Sequence, residues 1–167
     1  MSQKLNLKNL FGKDLRNSPD LRDQLAQAVI DKIIERTEKG KDINGKAFQK
    51  YSKEYKQSDE FKDFGKTSKV DMTLRGRMLD DVDIISETTN TVKIGFTDDL
   101  ETKKAFNHNS GDTVPKRQFF GITEKEVNAI KKEFASELKE KKPEEPKRTI
   151  GTLLTELGTL GSIFGEN

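Results

Sequence analysis

Residues 108–130, HNSGDTVPKRQFFGITEKEVNAI, constrain the fold more than any other stretch of the chain. Asn109, Ser110, Gly111 and Asp112 favour a turn after His108, and Pro115 pushes Val114 towards an extended conformation. Gln118-Phe119-Phe120 is then predicted to form a short strand. Beyond Gly121, Thr123 takes the N-cap position of a helix, and Glu126 stands three residues on, where a capping box needs it. That helix carries Val127, Ile130 and Phe134 on one stripe, with Glu and Lys opposite. Loop, strand and helix are thereby tied together, and Lys116 and Arg117 make the exposed part of the unit basic.

Composition limits what can surround this unit. Of 167 residues, 31% are hydrophobic and 36% charged, so one economical core is expected, with much of the chain solvated or docked on partners. The chain has no Cys, which excludes disulfides and thiolate metal sites. No run of apolar residues is long enough to span a membrane, and the N-terminus lacks the apolar core of a signal peptide. A soluble protein made inside the cell is expected. Residues 1–80 hold 18 basic and 13 acidic side chains, whereas 81–167 hold 13 and 16. Such an offset can orient subunits against one another, although it also describes an ordinary mixed surface.

Along the chain, residues 1–17 place Leu5, Leu7, Leu10, Phe11 and Leu15 at a spacing that suits neither a strand nor a long helix, so they are expected to form an arm with one short turn. Ser18-Pro19 is a helix start, and Leu21, Leu25, Ala28, Val29, Ile33 and Ile34 keep helical spacing as far as Lys39, with Gly40 as the stop. Asn44-Gly45 marks a tight turn. From there to residue 71, Phe48, Tyr51, Tyr55, Phe61 and Phe64 alternate with Lys. This pattern can stack nucleic-acid bases, but acidic residues break up the charge, and the stronger reading is an excursion pinned to the core by its rings, with partial helix at 52–57. A short helical turn over 72–78 leads to a hairpin, in which Val82, Ile84 and Ser86 alternate with Asp83, Ile85 and Glu87, Thr89-Asn90 turns, and residues 91–96 return. Residues 98–107 permit a short helix.

Catalysis finds little foothold. His108 is the sole His, and no metalloprotease, hydrolase-elbow or phosphate-loop pattern occurs. The pairs Asp80-Asp81 and Asp98-Asp99 could hold a metal in principle, but neither sits in a Gly-anchored ligand loop. A hydrogen-bonded structural His beside a Gly turn is expected. A hydrolase using His108 is remote. No enzyme activity, cofactor or metal is expected.

Five blocks then occur together in order: Gly45 with Phe48; Leu74-Arg-Gly-Arg-Met-Leu79; Val92-Lys-Ile-Gly95; His108 with Gly111; and Val114-Pro-Lys-Arg-Gln-Phe-Phe-Gly-Ile122. Over residues 25–135 this order resembles the virion morphogenesis, or tail-completion, family of Mu-like tailed phages. Phe48 stands where that family often has Trp, and Asn109-Ser110 and Lys116 also depart from its usual residues. The resemblance implies a non-enzymatic structural protein of the phage neck or tail end, a ring, sixfold to match tail symmetry. Its role there would be tail terminator, tail-completion protein or head-tail connector. It implies a place in the virion, host cytoplasm during assembly, other neck, connector or tail proteins as partners, and proximity to DNA in the channel. The alternative from another class is a small nucleic-acid-binding protein using residues 46–69.

The expected architecture is α+β: a long N-terminal helix and a closing helix packed on a small, mainly antiparallel sheet, with extended arms at both ends. The boundaries are an N-terminal arm over 1–17, a single domain over 18–142, and a Pro-containing linker with an apolar arm over 143–167. In that last arm Leu153, Leu154, Leu157, Ile163 and Phe164 lie on an apolar stripe interrupted by Gly. Ordering such a segment costs about what its burial returns, so it needs a surface, either its own domain or a neighbouring subunit. The expected interface is therefore this stripe together with Pro115, Lys116 and Arg117, the two cations being held rigidly outward to meet carboxylates of an adjacent subunit. His108, Gly111, Phe119, Phe120 and Gly121 are expected to be structural.

Overall fold

Strand β1 (Ser2–Asn6) adds to one edge of β3 (Thr91–Phe96), and β2 (Val82–Thr88) to the other, giving a three-stranded antiparallel sheet of order β1-β3-β2. The computed structural model describes residues 1–7, 18–73 and 75–140, with side chains to 136. Contacts divide the chain into two units, 1–134 and 135–167. The first is a mixed α+β unit. In chain order the helices are α1 (Pro19–Glu38), α2 (Lys53–Gln57), α3 (Asp59–Asp63), α4 (Arg77–Asp80), α5 (Asp99–Ser110) and α6 (Glu124–Glu140).

The β1 strand corrects the expectation of an arm over the first residues. Leu5 pairs with Val92 across the ladder, Leu7 N–H donates to Asn90 O at 2.8 Å, and both leucines are buried. Two alternating leucines are too short a signal to specify a strand, and the exposed edge of β3 supplies the missing partner. The rest of the expected arm, 8–17, lies outside the described residues.

In α1 the Ser18 hydroxyl accepts from Leu21 N–H, and Pro19 occupies the first turn, where its missing donor costs nothing. One face buries Leu25, Ala26, Val29, Ile30 and Ile33, and continues through Arg36 and Thr37. Val92 and Ile94 of the central strand join these residues in a core with Phe48, Leu79, Phe96, Phe119, Phe120 and Ile130. The hairpin turns at Thr89-Asn90, where the Thr88 hydroxyl accepts from Thr91 N–H. A bulge between Ile84 and Ser86 breaks the expected alternation and leaves Ile85 exposed.

Two further expectations change around residues 108–120. Helix α5, capped by Asp98 through the N–H groups of Leu100 and Glu101, runs on through His108, Asn109 and Ser110, and ends at Gly111 in the left-handed conformation, φ 79°. The expected turn is therefore the last turn of a helix plus its cap. Residues 118–120 do not form a strand, because their backbone groups are taken by partners outside any ladder. Gln118 O accepts from Ile43 N–H at 2.8 Å, Phe120 N–H donates to Asn109 Oδ1 at 3.1 Å, and Phe119 O accepts from Arg36.

Candidate interaction groove

Arg36 fixes the segment behind the groove. Its Nη2 donates to Phe119 O and Gly121 O, each at 2.7 Å, and its Nη1 donates to Glu126 Oε1 at 2.6 Å. Glu126 completes the capping box: its Oε2 accepts from Thr123 N–H and from the Thr123 hydroxyl, each at 2.9 Å, and the hydroxyl accepts from Glu126 N–H. Burial pushes the Glu126 carboxyl up, but the bonds from Thr123 and Arg36 outweigh it and hold the group below its ordinary range. Gly121 lies at φ 140°, where a Cβ would stand 2.7 Å from Ile43 Cδ1, so glycine is needed both for conformation and for space. The Phe119 and Phe120 rings are buried and meet Phe96 at 6.4 and 5.0 Å between centroids.

With its back held, the chain between Gly111 and Arg117 makes a tight loop over the end of α5. Arg117 N–H returns to His108 O at 2.7 Å, and Lys116 Cβ lies 2.6 Å from where a Cβ on Gly111 would stand. The Arg117 side chain then turns inward. Its Nε and Nη2 both donate to Gln49 O at 3.3 Å, its guanidinium carbon sits 5.3 Å from the Tyr51 ring centroid, and Nη1 approaches His108 Nδ1 at 3.4 Å. This corrects the expectation that Arg117 points out to a neighbour. At 5% exposure its charge is spent on a carbonyl and a ring within its own chain. Pro115 and Lys116, by contrast, are exposed.

His108 is shaped by that arginine. A guanidinium can only donate, so Nδ1 is the acceptor and the neutral ring carries its proton on Nε2. Burial, and then the Arg117 charge, push the imidazole down from 6.5 to about 4. Burial likewise lowers Arg117 from its usual value, and raises Tyr51 and Tyr55. His108 is thus a neutral acceptor at pH 7. Among the described residues no group of three or more His, Cys, Asp or Glu is placed to hold a metal ion, and no helix is long and apolar enough to cross a membrane. Asp81 and Asp98 spend their carboxylates on backbone: Asp81 accepts from the N–H groups of Thr97 and Asp98, and Asp98 caps α5.

In front of His108 and Arg117 lies a groove of about 620 Å³. Its walls are Tyr51, Tyr55, Met72, Met78, Val114 and Pro115, and its charged residues are Arg75, Arg77, Lys104, Glu60 and Glu101. Tyr51, Tyr55 and Phe61 form a ring cluster with centroids 5.1 to 5.6 Å apart. Lys104 donates to Glu101 at 2.7 Å, and Arg75 lies 3.7 Å from Glu60 and over the Phe64 ring. Arg77 is exposed and has no ionic or hydrogen-bonding partner for its side chain among the described residues.

Of the residues expected at an interface, Pro115 and Arg117 meet at this groove. Leu153, Leu154, Leu157, Ile163 and Phe164 lie outside the described residues, as does Leu74. Sequence reading passed over Arg36 and Gln49, and took Arg77 only as part of the block 74–79. Arg36 carried a usable signal, a cation three residues after Ile33 on the apolar face of α1. The Gln49 carbonyl carried none, because any residue supplies one. No protein-family model, curated protein or solved structure matches the chain.

Proposed function

We propose that this chain is a structural protein of a phage neck or tail end, assembling as a homo-oligomeric ring that completes the tail or joins it to the head. The observation that carries the reading is the convergence of the blocks on which the family resemblance rests. Ile43, beside the Gly45 turn, packs on Gly121 and bonds Gln118. Phe48, Val92, Ile94, Phe119 and Phe120 share one core, and His108, Gly111 and Arg117 build one loop. Blocks far apart in sequence thus hold one loop in place beside one groove, as a shared assembly surface would require. Two large apolar side chains on α5, Leu100 at 64% and Phe106 at 53% exposure, are the kind of surface a subunit contact covers.

In this reading α1 and α6 are the long helices that back the sheet, and the segment 143–167 acts as an arm between subunits. The chain works by shape and contact rather than catalysis, in the virion after assembly in the host cytoplasm. Its partners are further copies, six to a ring, and the adjoining neck, connector or tail proteins. A nucleic-acid-binding role for 46–69 would need ring faces open to bases. There, however, Phe48 and Phe61 are buried, and Tyr51, Tyr55 and Phe61 pack against one another at tilted and edge-on angles.

Light scattering across concentration, with electron microscopy of the purified chain, tests the proposal. A discrete ring with little affinity for DNA at physiological salt is expected. A monomer at every concentration that binds single-stranded DNA with a steep salt dependence would replace this reading with the nucleic-acid one.

A further inference from the structure

We propose that the groove between α2, α4 and the loop 114–117 is the receptor for the C-terminal segment of a neighbouring copy, with Glu156 of that copy pairing with Arg77 and its leucines against the Tyr51–Met78–Val114 wall. The inference deepens the ring reading and rests on it. Three observations select this occupant.

The first is charge. The groove presents Arg75, Arg77, Lys104 and Arg117 against Glu60 and Glu101, an excess of two positive charges with His108 neutral. Residues 150–167 contain Glu156 and Glu166 and no Lys or Arg. Lys104 and Arg75 already answer the groove's two carboxylates, and Arg117 is engaged with Gln49 and Tyr51. Among the described residues this leaves Arg77 to receive an incoming anion.

The second is surface chemistry. Two aromatic rings, two thioethers, a Val and a Pro make a wall suited to branched aliphatic side chains, and Met adapts to whichever shape arrives. Leu153, Leu154 and Leu157 flank Glu156 in the sequence, so an apolar anchor and an anion arrive together. At about 620 Å³ the groove holds an anchor of a few side chains rather than the whole segment.

The third is reach. Residues 141–149 span up to about 30 Å when extended. The unit of residues 1–134 has an expected radius of gyration of about 14 Å, so this linker suffices to cross from one copy to the next. An arm that crosses links copies head to tail, and such heterologous contacts generate rings.

Full-length variants test the assignment by charge exchange. Arg77→Glu and Glu156→Arg should each weaken self-association by about tenfold or more, because each places like charges together. The double variant Arg77→Glu/Glu156→Arg should restore it to within about threefold. Circular dichroism and the urea midpoint check that each variant folds, and Arg77 is exposed enough that they should not change. The absence of native Cys permits a second arm. Mixing Val114→Cys with Leu154→Cys under oxidation should give a mixed disulfide-linked dimer in excess of either homodimer. Failure of the double variant to recover association, or a disulfide that closes within a doubly substituted chain while the mixture yields no dimer, would overturn the proposal. Rings that form normally with Arg77→Glu would remove the groove as receptor and leave the ring reading standing. A wild-type chain that never self-associates would remove both.

Discussion

Arg36 joins three parts of the first unit through one planar group. Its guanidinium meets two carbonyls and a carboxylate that arrive from different directions, and a lysine's single ammonium could not span them. Its Nε has no partner among the described residues, so the side chain is held by its two terminal nitrogens. Arg36→Met should lower the unfolding free energy by about 2–4 kcal/mol, since it takes the partner from Glu126 Oε1 and from two buried carbonyls. Urea denaturation measures this, and a loss below about 1 kcal/mol would mean water replaces the clamp.

His108 gives a pH signature. Its folded value of about 4 lies below the ordinary 6.5, so between these values the unfolded chain binds more protons than the folded one. Stability from this group is therefore complete above about pH 6.5 and drains away as the pH falls towards 4. Between about pH 7.5 and 4.5 the wild type should lose about 1–3 kcal/mol more than His108→Gln, allowing for the ring's partial exposure. A constant difference between the two across that range would show that the imidazole is not held neutral.

At the scale of elements, α5 and the loop after it behave as one device. Asp98 starts the helix, Gly111 ends it, and the loop folds back so that Arg117 bonds the last-turn carbonyl of His108. Gly111→Ala would force a side chain into the left-handed region and press its Cβ against Lys116. A loss of about 1–3 kcal/mol is expected, with amide exchange at Arg117 accelerated more than at Val92 in the central strand. Equal acceleration at both sites would mean that loop and sheet open together. The capping box, the hairpin and the start of α5 were legible in the sequence because each is decided by groups within a few residues of one another. The strand expected at 118–120 was misread because its backbone partners, Ile43, Arg36 and Asn109, come from three other places in the chain.

At the scale of the whole molecule, the proposed ring requires a surface that another copy would cover. Leu100 and Phe106 are exposed on α5, so replacing both with Ser should leave the unfolding free energy of the isolated chain within about 0.5 kcal/mol. The same change should reduce the mass of the assembled species seen by light scattering. Full-size rings from this variant would place the subunit contact elsewhere on the unit.

By itself the sequence determined much of the local punctuation: the capped starts of α1 and α6, where the hairpin turns, and which residues between Val82 and Phe96 belong to strands. Those outcomes depend on hydrogen bonds and side-chain periods that close over a few residues, so a linear pattern contains them. The tertiary structure decided what two leucines near the N-terminus do, why 118–120 stays out of the sheet, and which way Arg117 points. In each case the deciding partner, the free edge of β3, the guanidinium of Arg36 or the carbonyl of Gln49, lies dozens of residues away. A lone carbonyl or an open strand edge leaves no mark in composition or periodicity, and its effect exists once folding has brought it within hydrogen-bonding distance.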